Sequence, residues 1–128
     1  MTTWTVPARI IRILDGDTIE VDLDLGWRIT YRAKVRLARV NAPELSTDVG
    51  RAARDWAVRQ LTALADTLTH SVEWRPITVV SHSLDKYGRV LGDVRWVDST
   101  GTTHDLAADL LQAGHAVPAR NLEHEDMP

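Results

Sequence analysis

Two neighbouring segments whose polar positions carry opposite charges constrain the fold of this chain more than any other feature. In residues 18–25, Ile19, Val21 and Leu23 alternate with acids at positions 20, 22 and 24. After a turn at Gly26, residues 28–40 continue the alternation with basic side chains at positions 32, 34 and 36. Such alternation predicts two half-buried strands. Acids on one strand would face bases on the next, which predicts an antiparallel pair with one apolar and one charged face.

The composition fits one domain with its own core. The chain has 128 residues, of which 44% are hydrophobic, enough for a single core. Its apolar runs are shorter than the roughly 20 residues that span a bilayer, so we expect a soluble protein with no membrane partner. Residues 1–7 lack the basic and apolar regions of a secretory signal, so we expect a cytoplasmic location. Because the chain has no cysteine, disulfides and thiolate metal sites are excluded.

The charge is unevenly distributed. The net charge of -3 argues against a broadly cationic nucleic-acid binder, yet residues 28–59 hold eight Lys or Arg against three Asp or Glu. Three acids also fall within the last six residues. We therefore predict a domain over residues 1–120 and a short acidic tail over residues 121–128.

The remaining segments complete a small barrel. Strands are predicted over residues 7–14, 71–81 and 89–97. Apolar residues at helical spacing predict a helix from residue 48 to about 68, with Thr47 or Asp48 as its N-cap. Residues 105–112 fit a short helix stopped by Gly114. The predicted fold class is α+β, mainly β: a five-stranded Greek-key barrel of the oligonucleotide/oligosaccharide-binding (OB) type, with one helix between strands 3 and 4 and another after strand 5.

Hard oxygen ligands are concentrated in Asp15-Gly16-Asp17-Thr18. Calcium takes about six to eight oxygens, and carboxylates on a tight turn can supply some of them. Asp-Gly is also a common turn signal that simply closes a hairpin. The residues alone leave both interpretations open.

A second motif places Arg36 before the loop Asn41-Ala42-Pro43-Glu44. An arginine can hold two phosphate oxygens at once and stabilise charge that develops on phosphorus. The alternative is a salt bridge to Glu20 or Asp22. Glu44 lies on a loop, where a carboxylate could act as a general base toward water, although Pro-Glu is also ordinary in loops.

The third motif is Asp85-Lys86-Tyr87-Gly88-Arg89. A turn before a strand explains its Asp and its Gly, because Gly readily adopts the backbone angles that turns require. A turn does not explain why a tyrosine and an arginine accompany them.

In this order and spacing, the three motifs resemble the staphylococcal nuclease (thermonuclease) family across about residues 6–118. The resemblance implies an OB-fold nuclease that uses Ca²⁺ to hydrolyse phosphodiester bonds of DNA or RNA. It further implies cleavage of the 5′ P–O bond, which leaves 3′-phosphates. We expect single-stranded or frayed nucleic acid as the partner, and a monomer.

The resemblance also implies a role for each residue. The metal ligands are Asp17, Asn41 and the backbone carbonyl of Ala42, with Asp15 nearby. Arg36 holds the scissile phosphate, Glu44 activates or orients the attacking water, and Arg89 makes the second phosphate contact. Lys86 and Tyr87 lie at the mouth of the nucleotide pocket.

Asn41 departs from the family pattern, which typically has an aspartate at this position. Asparagine keeps an oxygen but loses the charge, so metal binding should weaken. This change and the acidic balance of the chain favour an alternative, namely a catalytically weakened or inactive module that binds nucleic acid or a protein partner. The joint presence of Asp17, Arg36, Glu44 and Arg89 favours the enzyme.

Histidines and tryptophans add no further site. No two of the five histidines stand at helical spacing, so we predict surface or loop positions and no zinc centre. We predict that the five tryptophans pack in the core.

Overall fold

The computed structural model describes residues 3–66 and 71–119, without the side chains of residues 64–66 and 71. The strands within these ranges are β1 (Trp4–Asp15), β2 (Thr18–Asp24), β3 (Thr30–Leu37), β4 (Val40–Asn41), β5 (Thr62–Asp66), β6 (Ser71–Trp74), β7 (Ile77–Leu84), β8 (Val90–Val97), β9 (Thr103–Asp105) and β10 (Val117–Pro118). The helices are α1 (Asp48–Leu61), between β4 and β5, and α2 (Leu106–Gln112), between β9 and β10.

A parallel strand pair closes the main sheet into a barrel. The sheet has the order β3-β2-β1-β7-β8-β9, and β3 also pairs with β8. In this closing pair, Val35 lies opposite Val90 and Arg36 opposite Leu91. Strands β1, β2, β3, β8 and β7 therefore form a closed five-stranded barrel, with β9 as an extension. The predicted α+β barrel of the OB type, with its two helices, is confirmed.

The core fills the barrel and continues beneath both helices. Ala33, Val35 and Leu37 of β3 are buried, as their alternation predicts, whereas Tyr31 at the strand's start is 53% exposed. Helix α1 buries Ala53, Ala57 and Leu61, and α2 buries Leu106, Ala107 and Leu110.

The charged face of the β2–β3 pair is also confirmed. Glu20 lies opposite Lys34, and Asp22 lies opposite Arg32. The Arg32 guanidinium donates to both carboxylate oxygens of Asp22 at 2.8 and 3.1 Å.

Helix α1 ends at Leu61, so its predicted extension to about residue 68 is wrong. Thr47 is the N-cap, since its side chain accepts a hydrogen bond from the Gly50 N–H. At the other end, the Thr62 hydroxyl donates to the Val58 carbonyl at 2.5 Å, which gives that carbonyl a partner outside the helical backbone pattern. Residues 62–66 then pair with β6. The last residues of the predicted helix, 67 and 68, lie outside the described residues.

Two long predicted strands are each divided. The strand expected over residues 28–40 becomes β3 and β4, because Ala38 leaves β3 and donates its N–H to the Gly92 carbonyl at 3.0 Å. The strand expected over residues 71–81 breaks at Arg75-Pro76, where proline has no N–H for a ladder bond. The predicted acidic tail lies outside the described residues.

The tryptophan prediction is only partly correct. Trp96 is buried, and Trp56 and Trp74 pack partly buried against the core. Trp4 is 58% exposed and Trp27 is 95% exposed, so the prediction of core packing is wrong for these two residues. Among the described residues, neither helix is long and apolar enough to cross a bilayer.

Candidate active site

The turn between β1 and β2 is held by its own side chains and by close packing. The Asp17 N–H donates to Asp15 Oδ1 at 3.0 Å, and the Thr18 hydroxyl donates to Asp17 Oδ1 at 3.2 Å. A Cβ placed on Gly16 would lie 2.7 Å from the Ala42 Cβ and 3.1 Å from the Ala53 Cβ. Only a glycine allows the turn to pack this closely on the loop after β4 and on α1.

Asp17 is the most electrostatically perturbed carboxyl group in this region. Its Oδ2 accepts the Ala42 N–H at 2.8 Å and lies 3.4 Å from Arg36 Nη2. Burial and the hydrogen bond with Asp15 raise the pKa of Asp17 to about 6, although the Ala42 N–H and Arg36 act in the opposite direction. Folding therefore disfavours the charged form of this group.

Arg36 connects Asp17 to the loop that follows β3. Its Nη1 donates to the carbonyls of Leu37 and Val40 at 2.6 and 2.7 Å, and its Nη2 donates to Asn41 Oδ1. The Arg36 side chain is only 10% exposed. The alternative salt bridge to Glu20 or Asp22 does not form, since Arg36 pairs with Asp17 instead.

Four residues predicted from the sequence thus meet in one place: Asp17, Arg36, Asn41 and Ala42. We call them the Asp17 cluster. Asp15 joins it through the Asp17 N–H. Among the side chains that the structure describes, no three acidic or histidine side chains converge on one point, so the oxygens of Asn41 and Ala42 would have to complete any metal site here.

Glu44 is exposed on the loop between β4 and α1. Its carbonyl accepts bonds from the Thr47 N–H at 3.0 Å and from the Thr47 hydroxyl at 2.7 Å. A Cβ on Gly50 would lie only 1.8 Å from that carbonyl, so the first turn of α1 packs directly on the Glu44 backbone. Within the described residues, the Glu44 carboxylate forms no ion pair.

The Asp85 turn, residues 85–89, is organised by one carboxylate. Asp85 Oδ1 accepts the N–H groups of Tyr87 and Arg89 at 2.9 and 2.8 Å, and its Oδ2 accepts Arg89 Nε at 2.6 Å. Gly88 has a φ of 81°, which explains the glycine. Burial alone would raise the pKa of Asp85, but the hydrogen bonds from Arg89 and Tyr87 lower it below its usual value.

An exposed tyrosine lies between two cations on this turn. Tyr87 is 72% exposed, with Lys86 Nζ 5.3 Å and Arg89 Cζ 5.5 Å from its ring centroid. Arg89 immediately precedes Val90, which pairs with Val35 of β3. The closing strand pair thus brings the Asp85 turn beside the strand that carries Arg36.

A small cavity opens beside the Asp17 cluster. It has a volume of about 220 Å³ and is lined by residues 41–43 and 114–117. His115, in its wall, packs on Trp56 with ring centroids 5.3 Å apart. The predicted metal ligands Asn41 and Ala42 therefore border a space that is open to a ligand.

Arg39 had no assigned role in the sequence analysis, and the structure gives it one. It bonds Asp93 at 3.1 Å and Asp105 at 2.6 Å, which ties the β3–β4 connection to β8 and β9. These partners are 54 and 66 residues away in sequence, so no local signal could identify them.

The described histidines each have protein partners of their own. His82 pairs with Asp93 at 3.0 Å, and His104 lies between Asp98 and Asp109 at 2.7 and 2.9 Å. His82 and His104 lie in strands rather than loops, with side chains that are 34% and 30% exposed at the surface, which fits the surface part of the predicted surface or loop positions. His70 and His124 lie outside the described residues.

Known proteins are similar to this chain over much of its length. The family model described as staphylococcal nuclease homologue matches residues 34–127. That range includes Arg36, Asn41, Glu44 and Arg89, whereas Asp17 precedes it.

Individual relatives cover similar parts of the chain. An uncharacterized endonuclease of Escherichia coli is 36% identical over 89 residues, which are 70% of this chain and 48% of the relative. A micrococcal nuclease of Shigella flexneri is 42% identical over 85 residues, or 66% of this chain and 40% of the relative. Protein ParB of Escherichia coli is 35% identical over 89 residues, or 70% and 41%. The chain spans about half the length, or less, of the curated relatives it matches. From the match over most of its length, the chain belongs to the staphylococcal nuclease homologue family.

Proposed function

We propose that this chain hydrolyses phosphodiester bonds of DNA or RNA with the help of a bound divalent cation, Ca²⁺ by preference. The observation that carries the proposal is the Asp17 cluster. There, a buried carboxyl group, an arginine and a side-chain amide oxygen meet where β2 starts and β3 ends. Burying these groups together gives the fold little advantage, since Asp17 is more easily protonated there than in water.

The oxygen donors suit a hard cation. Asp15 and Asp17 supply two carboxyl groups, and Asn41 and the Ala42 carbonyl supply two neutral oxygens, which are the ligand types that Ca²⁺ prefers. Burial, more than the neighbouring Asp15, raises the pKa of Asp17, and a cation bound beside this group would favour its charged form. When bound, the ion would polarise a phosphate oxygen and lower the cost of the charge that develops on it.

The side chains would divide the remaining chemistry among them. Glu44 takes a proton from the attacking water, a role that its exposed carboxylate on the loop between β4 and α1 permits. Arg36 and Arg89 stabilise the negative charge on the phosphoryl oxygens. To reach a phosphate, Arg36 Nη2 has to exchange the Asn41 oxygen for a phosphate oxygen. Cleavage of the 5′ P–O bond leaves a 3′-phosphate product.

We further propose single-stranded or frayed nucleic acid as the substrate, bound by a monomer. The names of two relatives, an endonuclease and a micrococcal nuclease, support a nucleic acid. Lys86 and Tyr87, exposed on the Asp85 turn, suit an unpaired nucleotide because an aromatic ring can stack on a base whose face is free.

Cleavage assays with metal and with chelator test this proposal. Purified protein is incubated with single-stranded DNA and RNA in Ca²⁺ or in chelator, alongside Glu44→Gln and Arg36→Ala. We expect metal-dependent cleavage and a loss of about 100-fold or more in Glu44→Gln. Glu73→Gln is the matched control, because Glu73 is also exposed but lies on β6. If the wild type cleaves no faster than Glu44→Gln, the chain is not this enzyme.

One observation favours the alternative, a module that binds without cleaving. Asn41 Oδ1, the oxygen expected to face the metal, accepts a hydrogen bond from Arg36. A chain that binds single strands in a gel-shift assay, yet shows no metal-dependent cleavage, would be this module.

A further inference from the structure

The outer surface of β1, β2 and β3 carries an ordered array of charges that the candidate active site does not use. Its members are Arg9 and Arg12 on β1, Glu20 and Asp22 on β2, and Arg32 and Lys34 on β3. We call this surface the outer β1–β3 face. The acids occupy the central strand and the cations occupy both neighbours. Arg9 lies opposite Asp22 and Arg12 opposite Glu20, because one register shift lies between residues 10 and 12.

The acids of this face lie beneath the cations. The side chains of Asp22 and Glu20 are 10% and 16% exposed, against 77% for Arg9, 62% for Arg12 and 57% for Arg32. Each guanidinium has about five N–H donors, and these ion pairs use one or two of them. Lys34 is exposed as well and forms no ion pair within the described residues. The solvent therefore meets hydrogen-bond donors and positive charge.

The turn that ends this face is unusual. The Ile29 N–H donates to the Gly26 carbonyl at 2.8 Å, with Trp27 and Arg28 as the central residues at φ 56° and 61°. Positive φ at both central positions defines a type I′ turn, which strongly favours Asn-Gly. A tryptophan and an arginine are strained there. The strain accompanies an indole that is 95% exposed, so packing within the fold does not explain the choice.

The face leads directly to the Asp17 cluster. Arg32 and Lys34 share one side of β3 with Arg36, and Thr18, the first residue of β2, pairs with Arg36. From Arg36 to Thr30 the strand covers six residue steps, which is about 20 Å, and Trp27 lies just beyond. With Arg28 and Asp24 included, the face and its turn hold five cations and three carboxylates. Its net charge is thus +2, on a chain whose net charge is -3.

We infer that the outer β1–β3 face binds the nucleotides flanking the scissile phosphate of a single-stranded substrate, and that a base stacks on Trp27. This inference rests on the proposed function, because the bound strand is taken to run from the scissile phosphate at Arg36 toward Trp27. The cations contact backbone phosphates without reading sequence. A fully exposed indole suits an unpaired base, whose faces are open for stacking. The face then explains how an acidic protein attracts a polyanion.

Binding assays in chelator test this inference separately from catalysis. The affinity for a 12-nucleotide and a 4-nucleotide single strand is measured by fluorescence anisotropy over a series of salt concentrations. The proteins are the wild type, Arg9→Gln/Lys34→Gln, Trp27→Ala and Arg59→Gln. Arg59, exposed on α1, is the control for a lost surface charge. Because no cleavage is needed, an inactive chain still tests the face.

We expect the wild type to bind the 12-mer more tightly than the 4-mer. Arg9→Gln/Lys34→Gln should weaken 12-mer binding by about 10-fold and reduce the salt slope by about 1.4, since each lost phosphate contact on a single strand removes about 0.7. Trp27→Ala should weaken it by about 5-fold or more, with little change in the salt slope. If the double variant and Trp27→Ala bind the 12-mer as tightly as Arg59→Gln does, the inference is wrong.

Exchange of the turn residues separates binding from folding. Trp27→Asn/Arg28→Gly supplies the residues that the turn favours, so we expect a higher melting temperature together with weaker 12-mer binding. Unchanged 12-mer binding would show that the turn does not contact nucleic acid. Size-exclusion chromatography tests a second role for the indole. If the wild type elutes as a dimer, and Trp27→Ala elutes as a monomer that binds the 12-mer as tightly as the wild type, the indole serves self-association. The proposed stacking of a base on Trp27 would then be wrong.

Discussion

Asp17 and Asp85 are both partly or fully buried aspartates on turns beside an arginine, yet folding shifts their pKa values in opposite directions. Burial and Asp15 raise the pKa of Asp17 to about 6. At Asp85, hydrogen bonds from Arg89 and Tyr87 outweigh burial and lower the pKa. Both carboxyl groups accept hydrogen bonds, but at Asp85 three bonds from its own turn outweigh burial, whereas at Asp17 burial outweighs the bonds that it accepts. Asp17 shares its environment with a second carboxyl group.

On our proposed function, this contrast separates a structural carboxylate from a functional one. The fold needs the charge of Asp85, because that charge holds residues 85–89 in place. The fold would be more stable without the charge of Asp17, so keeping it there indicates a task outside folding. On our proposal, that task is to hold a cation.

The largest expected effect is on activity. Asp17→Asn should lower metal-dependent cleavage of single-stranded DNA by at least about 100-fold, because it removes a charged ligand. Asp85→Asn should lower it by about 10-fold, since it acts only by loosening the position of Arg89. Initial rates at saturating Ca²⁺ measure both. Equal losses in the two variants would remove the functional distinction between them.

Stability should respond with opposite signs. At pH 7 in chelator, Asp17→Asn should raise the free energy of unfolding by about 2 kcal/mol, since the raised pKa measures the cost of the buried charge. Asp85→Asn should lower it by about 1–2 kcal/mol, because bonds to a charged acceptor are weakened. Urea unfolding followed by tryptophan fluorescence measures both values. A destabilised Asp17→Asn would contradict the interpretation of the cluster.

The calcium requirement tests the position of Asn41. Asn41→Asp should lower the Ca²⁺ concentration for half-maximal activity by about 10-fold, because ligand charge tunes calcium affinity. Gln112→Glu adds the same charge at the exposed end of α2 and serves as the control. If the two variants shift the requirement equally, Asn41 is not a metal ligand.

The smallest expected effect is on the pH dependence of stability. The folded state holds the Asp17 proton more tightly than the unfolded state, whose pKa is near 3.8. The stabilisation of the folded state that comes from binding this proton is therefore complete below about pH 4, and it is lost as the pH rises through about 6.

Measurements at pH 5 and pH 7 isolate this contribution. The advantage of Asp17→Asn over the wild type should be about 1 kcal/mol larger at pH 7 than at pH 5. At Asp85 the sign reverses, because a lowered pKa gives stability that is lost only as the pH falls below about 4. Between pH 5 and pH 7, the difference in stability between Asp85→Asn and the wild type should therefore stay constant. Urea unfolding of both variants at the two pH values checks this, and an equal change for Asp17→Asn and Asp85→Asn would contradict it.

The sequence predicted most of the barrel because alternation reports directly on which side of a strand is buried. That the acids of β2 would face the bases of β3 could be read from charge alone, whereas the register, which pairs Glu20 with Lys34 and Asp22 with Arg32, could not. The end of α1 could not, because the apolar spacing continues past Leu61 while Thr62 turns the chain into β5. Exposure of Trp27 was also missed, since residue type favours burial and only the turn geometry places the indole in solvent.

The candidate site was predicted as a set of residues but not as a geometry. The motifs identified Asp17, Arg36 and Asn41, and the structure brings these three together. That Arg36 would bond the oxygen of Asn41 has no local signature, because it depends on how the chain turns after β3. The contacts of Arg39 with Asp93 and Asp105 were inaccessible for the same reason.

The parallel pairing of β3 with β8 has a consequence for how the activity would appear during folding. Arg36 and its partner Leu91 are separated by the whole of α1 and four strands. Pairing them therefore closes a long loop, and the conformational entropy lost in that closure makes the pair form late in folding. Arg89 stands next to this pair. Within residues 4–37 and 77–97, we expect the amides bonded inside each antiparallel hairpin to gain hydrogen-exchange protection first. The amides of residues 35–37 that face β8 should gain it later. Catalytic competence would then return only with the slowest refolding phase, which makes cleavage a direct report of barrel closure.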